Sequence, residues 1–517
     1  MPDEERRHPL ARVITRFIGG ALLIALLATV ASATTFFEGV GIVSDALGGG
    51  VLIQSKGLAP TYAGQPVTIL ILGSDSRAES HIIYDRSDPH HSDTILLMRL
   101  DPQSGQTTVM SIPRDLQASF TVPKGAYAGN YANVKINEAF TYGGAGETLQ
   151  VVEHLLGIKI NDIVVIDFQS FAFLVDGLGC VFVDVDHLYD NSSASGSAHI
   201  YISPGYKPLC YYQALSYVRY REGDSTYARD AREQDFIRQA KQQLGVRSTL
   251  LTNPNALQAL LKRVARGVST NIRTSNQILR LVEIAAASVA HPVRQVQFPD
   301  VGSALSPTAG SVQLDPAPAQ IKATVDAFLS GSGPTTLPPS TSPPVAGGKS
   351  HHHHRHHRAA VNTTAAGLIP TASYAFEDAK AMTVRVPFPV EIPRLNSPAG
   401  NQNGFDSFHS FHEVVPRFAT FGGLHYSGYR ITWQDGAAPG GAYYGIDGLN
   451  WTNPPLFQNA QSRTIDGRTY MFVLNGKHWQ DIGWIVGKDL YWVSNTIFDN
   501  LSNDALLAMA KSATRVQ

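Results

Sequence analysis

Residues Gly331 to Leu368 (GSGPTTLPPSTSPPVAGGKSHHHHRHHRAAVNTTAAGL) contain almost nothing that can be buried, and they limit most strongly what this chain can fold into. A segment so rich in Pro, Ser, Thr and Gly cannot bury enough apolar surface to offset the entropy of ordering it. It reads as a linker, taken as residues 331–371. The rest of the chain must then build two cores, one over residues 62–330 and a smaller one over 372–517. A length of 517 residues is in any case too great for one ordinary core. The histidine run His351 to His357, broken only by Arg355, sits inside the linker, where such tracts are usually solvated rather than metal-loaded.

At the other end, Phe17 to Phe37 (FIGGALLIALLATVASATTFF) carries no charge and is long enough to cross a bilayer as a helix. Arg6, Arg7, Arg12 and Arg16 precede it. The positive-inside bias keeps residues 1–16 cytoplasmic, makes 17–37 a single membrane span and exports the bulk of the chain beyond it. A secretory signal cleaved near Ala31-Ser32-Ala33 is the alternative, and it also places the bulk outside. In an exported chain Cys180 and Cys210, the only cysteines, read as one disulfide. Lys plus Arg (41) nearly cancels Asp plus Glu (42), which argues against a nucleic-acid partner and requires any positive site to be local.

Within 62–330 the pattern alternates. Val67 to Leu72 is an apolar run stopped by Gly73, as in a buried strand. Thr94 to Leu100 and Thr107 to Ile112 flank the turn DPQSGQ, as in a hairpin. Helix-like patterns at Glu147 to Leu156 and Phe168 to Leu178 are separated by a strand-like Ile163 to Ile166, with a further strand at Cys180 to Val185. Strand and helix in alternation define an α/β domain.

Two charged residues converge on one edge of such a sheet, and Asp75 joins them if the Val67 strand runs parallel to the second hairpin arm. Asp93 stands just before one hairpin arm and Arg114 just after the other, so antiparallel pairing brings them together. Asp75 follows the Val67 strand at the carboxyl end where open α/β sheets gather ligands. Two carboxylates and a guanidinium suit a hard divalent cation beside an anion. Further on, YVRYREGDSTYARDAR packs Arg219, Arg221, Arg229 and Arg232 into sixteen residues. Alternation over Tyr217 to Arg221 predicts a strand with Arg219 and Arg221 on one face. A helix from about Tyr227 would align Arg229 with Glu233, Phe236 and Ala240 on its buried stripe, with Arg232 rotated away. Inward guanidiniums need anionic partners and their planar forks fit phosphate oxygens, so the set describes a diphosphate site; a salt-bridge network is the structural alternative. No Walker loop and no Rossmann glycine fingerprint occurs, which speaks against a nucleotide.

The ordered motifs ILILGSDSR, HSDTILLMRLDP, VMSIPRDL, KINEAFTYGG and ALSYVRYREGDSTYARDAREQDF resemble the LytR-CpsA-Psr family of wall-polymer ligases, over roughly Val67 to Leu244. The resemblance implies an α/β/α sandwich with a hydrophobic pocket for a polyprenyl tail, anchored in the membrane and facing outward. It implies transfer of a glycopolymer from a polyprenyl-diphosphate donor to a peptidoglycan acceptor, with Mg2+ (or Mn2+) at the diphosphate. Asp75 and Asp93 take the metal positions. Arg114 contacts Asp93 and phosphate, Arg219, Arg221 and Arg229 clamp the diphosphate, and Glu233 adjoins them; Asp93, Arg114, Arg219 and Arg221 form the catalytic set. Three positions depart from the family pattern: His91 where Arg is frequent, Thr226 where Asp is frequent, and Glu233 where Gln is common. The first removes a positive charge, and the others alter the polar neighbours of Arg229.

All five tryptophans lie beyond the linker, in a domain that reads as β-rich α+β with a closing helix near Asp504 to Lys511. Tryptophans in such a domain are more often core than exposed. Three rival functions remain open: a polyprenyl-diphosphate pyrophosphatase, a non-catalytic wall-binding protein and a membrane-bound regulator. The short N-terminus contains no DNA-binding motif, which weighs against the last.

Overall fold

The computed structural model describes, short interruptions aside, residues 51–74, 91–247, 268–330 and 366–516. Phe17–Phe37, Asp75 and His351–His357 lie outside the described residues. Among the described residues no helix is long and apolar enough to cross a membrane.

The chain divides into two compact units. The first comprises Met1–Val181, Leu209–Arg219 and Arg229–Gly331, and the second comprises Phe182–Pro208, Tyr220–Ala228 and Ser332–Gln517. The boundary is therefore not only the linker: the chain passes twice into the second unit before the linker begins.

The first unit is mixed α/β. Its elements are β1 (Val51–Leu52), β2 (Val67–Ser74), β3 (Ser92–Leu100), β4 (Thr107–Ser111), β5 (Gln117–Val122), β6 (Gly129–Lys135), α1 (Glu138–Leu156), β7 (Asp162–Asp167) and α2 (Phe168–Gly177). The chain continues through β8 (Val181–Val185) and β9 (Gly205–Leu209), most of whose residues group with the second unit, and then through α3 (Tyr211–Arg219), α4 (Thr226–Arg247), β10 (Val268–Thr270), β11 (Val293–Val296) and α5 (Pro318–Leu329). Seven strands form one sheet in the order β1-β10-β7-β2-β3-β4-β11. Strand β2 sits near its centre, parallel to β7 and antiparallel to β3. All eight of its residues are buried, which accounts for its near-continuous apolar sequence. The β3–β4 turn is held by Asp101, which accepts from Gln103 N at 2.9 Å and from Ser104 Oγ at 2.8 Å.

Each strand expected here from sequence is present except the one at Tyr217 to Arg221. The helix read as Glu147–Leu156 begins nine residues earlier, at Glu138. One expectation is overturned: Tyr217 to Arg221 is not a strand, because Tyr211–Arg219 is helix α3. Its buried residues Ala214, Leu215, Tyr217 and Val218 recur at helical spacing, and packing of that stripe outweighs the β-preference of an aromatic and β-branched alternation. Arg219 and Arg221 therefore share no strand face.

Cys180 and Cys210 form the predicted disulfide, with Cα atoms 4.5 Å apart. They flank the points where the chain leaves the first unit after Val181 and re-enters at Leu209. Closing a loop of 30 residues removes unfolded-state entropy worth about 3–4 kcal/mol. Cys180→Ser should lower stability by that order in denaturant titrations, and reduction of the wild type should reproduce the loss; coincident oxidised and reduced curves would show the bond to be energetically idle.

The second unit is built on an antiparallel sheet. Its elements are α6 (Ser373–Met382), β12 (His412–Phe421), β13 (Leu424–Gln434), β14 (Tyr443–Leu449), β15 (Gln461–Ile465), β16 (Arg468–Asn475), β17 (His478–Val486), β18 (Asp489–Ser494) and α7 (Asn503–Ser512). The strand order is β12-β13-β14-β18-β17-β16-β15. Trp433, Trp479, Trp484 and Trp492 are all 4% exposed or less and Trp451 is partly buried, so four of the five tryptophans are core rather than a sugar platform. Within this unit Arg430 donates to Asp184 Oδ1 at 3.0 Å and to Asp447 Oδ2 at 2.6 Å, and Trp492 Nε1 donates to Asp184 Oδ2 at 2.9 Å. The excursion Phe182–Pro208 is thus tied to the sheet by buried charge.

Candidate functional site

Asp93 owes its position to a defect in the ladder. Gly73 pairs with Thr94 and Ser74 pairs with Ser92, so Asp93 is the extra residue of a β-bulge. Bulges turn a side chain out of the regular alternation and are frequent beside active sites. On the other edge of β3, the register that pairs Leu96 with Ser111 carries Asp93 opposite Arg114 three residues further on. The two form a short charge-assisted hydrogen bond from Arg114 Nη1 to Asp93 Oδ1. Asp115 lies 3.7 Å from Arg114 Nε and accepts from Lys135 Nζ at 2.6 Å.

Arg219 ends α3, and its Nη2 lies 3.9 Å from Asp93 Oδ2. Its guanidinium carbon sits 3.9 Å from the centre of the Phe168 ring, a cation–π contact that orients the fork. Its side chain is 44% exposed, against 15% for Arg114 and 4% for Arg229. Those fractions divide the labour: Arg219 has the most surface for an incoming anion, and Arg229 the least.

Arg229 is instead the centre of a buried ion cluster. It donates to Asp230 Oδ1 at 3.0 Å and lies 3.8 Å from Glu233 Oε1, one turn along α4. Thr94 Oγ1 donates to the same Glu233 oxygen at 2.9 Å. Burial opposes the charge on Arg229, yet the carboxylates of Asp230 and Glu233 outweigh it and hold the guanidinium's pKa above its ordinary value. Burial also pushes Glu233 up to about 8; Arg229 pulls it down, while Asp230 pushes it further up. One guanidinium shared by two buried carboxyls thus favours a neutral Glu233. Since its folded pKa exceeds the ordinary 4.5, the stability that neutral Glu233 contributes is complete below about pH 4.5 and is lost as pH rises through about 8. Thermal midpoints of Glu233→Gln should fall less than those of wild type across that window, and parallel curves would show Glu233 already ionised.

A cavity of about 100 Å³ adjoins these charges. Its walls are Ile71 of β2, Leu96 of β3, Ile166 of β7, Phe171 and Leu174 of α2, Leu215 and Val218 of α3, and Phe236 of α4, with Thr94, Asp167, Arg219 and Glu233 among the lining. Gly73 also lines it. A Cβ there would stand 2.9 Å from Thr94 Cβ, so only glycine lets β2 and β3 approach this closely beside the bulge.

Of the residues singled out from sequence, Asp93, Arg114, Arg219, Arg229 and Glu233 meet in this one region of the first unit. Arg221 is exposed, two residues past α3, in the Tyr220–Ala228 stretch that groups with the second unit. Arg232 is fully buried, with Nη1 3.4 Å from Tyr217 O, and is structural. Sequence reasoning missed Thr94, Asp167, Phe168 and Asp230. Thr94 and Asp230 stand within the SDT and ARDAR motifs beside residues already chosen, whereas the ring under Arg219 has no local signal.

A model of the LytR_cpsA_psr family matches residues 52–324, more than half of the chain. The protein belongs to that family. The polyisoprenyl-teichoic acid–peptidoglycan teichoic acid transferase TagV of Bacillus subtilis (strain 168) is 29% identical over 212 residues, covering 40% of this chain and 50% of the relative. TagU of Halalkalibacterium halodurans, described by the same activity, is 29% identical over 214 residues, covering 41% of this chain and 62% of the relative. The chain thus matches about half to three fifths of the length of these relatives. The crystal structure of B. subtilis TagV aligns with a TM-score of 0.42 at 21% identity, covering 52% of this chain and 98% of that one.

Proposed function

We propose that the protein is a phosphotransferase that moves a glycopolymer from a polyprenyl-diphosphate carrier to peptidoglycan. One observation carries the reading: Arg219 and Asp93, with Arg114 behind them, stand beside a cavity walled almost entirely by hydrocarbon. A lipid-borne diphosphate is the ligand class that needs both within one molecule, and the relatives' described activity agrees. We read the sheet and helices of the first unit as an α/β/α sandwich. Residues 17–37 would anchor it with the site outside the cell.

In this reading the polyprenyl chain enters the cavity. Arg219 and Arg114 hold the diphosphate through paired N–H donors, and Arg221 is assigned to the same clamp from its motif alone. Arg229 acts from beneath by holding Asp230 and Glu233 in place; a neutral Glu233 spares the phosphate oxygens a buried negative neighbour. An acceptor sugar hydroxyl attacks the phosphorus bearing the glycan. The new P–O bond forms as the bond to polyprenyl phosphate breaks; Asp93 is the candidate to take the hydroxyl proton, a role that competes with holding a cation. Most of the acceleration comes from positioning and charge neutralisation.

Asp75 and Asp93 would hold a magnesium or manganese ion. Asp93 fits: its carboxylate is a hard oxygen donor turned out of the ladder by the bulge, and such ions commonly take one or two carboxylates plus substrate phosphates. When bound, the ion would neutralise diphosphate charge.

The test is to supply a polyprenyl-diphosphate glycan with and without peptidoglycan. A glycan–peptidoglycan phosphodiester formed only with acceptor supports the transferase. Acceptor-independent phosphate release with no joined product assigns a pyrophosphatase instead.

A further inference from the structure

Phe168 opens α2 and Arg219 closes α3, and the ring and guanidinium lie against each other. At the other ends of the same helices the order reverses. Cys180 follows the last turn of α2, Cys210 directly precedes α3, and the two are bonded. Beside the bond, Phe173 of α2 meets Tyr211, the first residue of α3, at 5.4 Å between ring centres. The helices are therefore antiparallel neighbours within the first unit, tied by a covalent bond at one end and by a stacked guanidinium at the other.

The bond is built into both helix ends. Cys180 N donates to Val175 O at 3.0 Å, so the chain still folds onto the last turn of α2, and Cys210 O accepts from Gln213 N at 2.9 Å in the first turn of α3. Gln243 of α4 donates to Cys180 O at 2.6 Å, so a third helix that walls the cavity grips the same corner. The backbone there is held against preference. Cys180 has φ 69° and Tyr211, next to Cys210, has φ 45°, both in the left-handed region that disfavours non-glycine residues. Such conformations persist where the surrounding structure over-determines them.

Between the two tied ends lies the cavity wall, with Phe171 and Leu174 from α2 and Leu215 and Val218 from α3. Leu174 and Leu215 are the lining residues of these helices nearest the bond in sequence, and Phe168 and Arg219 the farthest. Released at the bonded end, two helices still pinned at the other would part most at Leu174 and Leu215 and least at the charges. A gap of roughly 1 Å already forfeits up to about half of a dispersion contact, so hydrocarbon between them would lose affinity where phosphate would not.

We propose that the Cys180–Cys210 bond is a positioning element for the lipid: it fixes α2 against α3 and so sets the width of the cavity that takes the hydrocarbon tail. The proposal rests on the polyprenyl-diphosphate reading above, and its test separates the two. Wild type and the Cys180→Ala/Cys210→Ala double variant, both as the full chain, are titrated with farnesyl diphosphate and with inorganic diphosphate below the variant's melting transition. The variant should bind farnesyl diphosphate about tenfold more weakly and inorganic diphosphate as wild type does. In transfer assays its donor KM should rise by a similar factor, with the acceptor KM unchanged. Wild-type affinity for farnesyl diphosphate in a folded double variant that still transfers glycan overturns the positioning role and leaves the transferase standing. Equal loss of both probes also overturns it, since the bond then supports the unit as a whole. Leu174→Phe, with the bond intact, should likewise weaken farnesyl diphosphate; unchanged affinity there would mean that no tail reaches the bonded end, and overturns the proposal even if the unbonded chain does not fold. A selective loss of farnesyl diphosphate in the double variant, without any transfer by wild type, keeps the positioning role and removes the transferase.

Discussion

Arg219→Ala should reduce glycan transfer by about 10²- to 10³-fold, the loss typical of removing one preorganised donor from developing charge. Its side chain is the most exposed of the guanidiniums measured around Asp93, it lies 3.9 Å from Asp93 Oδ2, and it borders the cavity. The fold should tolerate the change, since a residue 44% exposed at a helix end contributes little to the core. Arg219→Lys should recover only part of the activity: an ammonium restores the charge but not the planar fork, and it stacks less well on Phe168. Transfer is read as glycan joined to peptidoglycan per unit time, with a thermal melt as the control. Wild-type turnover in a folded Arg219→Ala variant would remove this side chain from the phosphate site.

The second large effect concerns stability. Arg430 is 1% exposed and is shared by Asp184 and Asp447, themselves 6% and 0% exposed. Burial disfavours its charge, but Asp184, Asp447 and Asp186 more than offset this and raise its pKa above the ordinary value. Arg430→Met keeps much of the bulk and strands two buried carboxylates. Breaking such a pair from one side costs about 3–5 kcal/mol, far more than the pair's own net contribution. The urea midpoint should fall accordingly at neutral pH. Lowering the pH until the carboxyls protonate should recover part of the loss, because the stranded groups then become neutral. A cost below about 1 kcal/mol would mean that water reaches the carboxylates and that the cluster is not dry.

Much of the site was readable because its geometry derives from local pairing. The turn at Asp101–Gln106 sets the β3–β4 register, and that register alone places Asp93 opposite Arg114. The helical stripe Arg229, Glu233, Phe236 and Ala240 is likewise a matter of spacing, and all four are buried. Tyr217–Arg221 misled because its first three residues are the end of a longer helix, Tyr211–Arg219; the deciding signal, burial of Ala214, Leu215 and Val218 together, depends on what packs against them. The bulge at Asp93 could not be read either, since it depends on the register between β2 and β3, which no short turn fixes. Least legible was the grouping of Phe182–Pro208 with residues beyond the linker. Asp184 and Arg430 are 246 positions apart, and no periodicity or turn chemistry reaches that far.

That separation has a temporal side. A chain made at about 5–20 residues per second needs roughly ten to fifty seconds to synthesise the 246 positions between Asp184 and Arg430. Throughout that interval Phe182, Tyr206 and Asp184 lack the sheet residues that bury them in the folded unit. Helpers that shield nascent chains, and the catalysts that form the Cys180–Cys210 bridge, would have their greatest influence on yield during this delay.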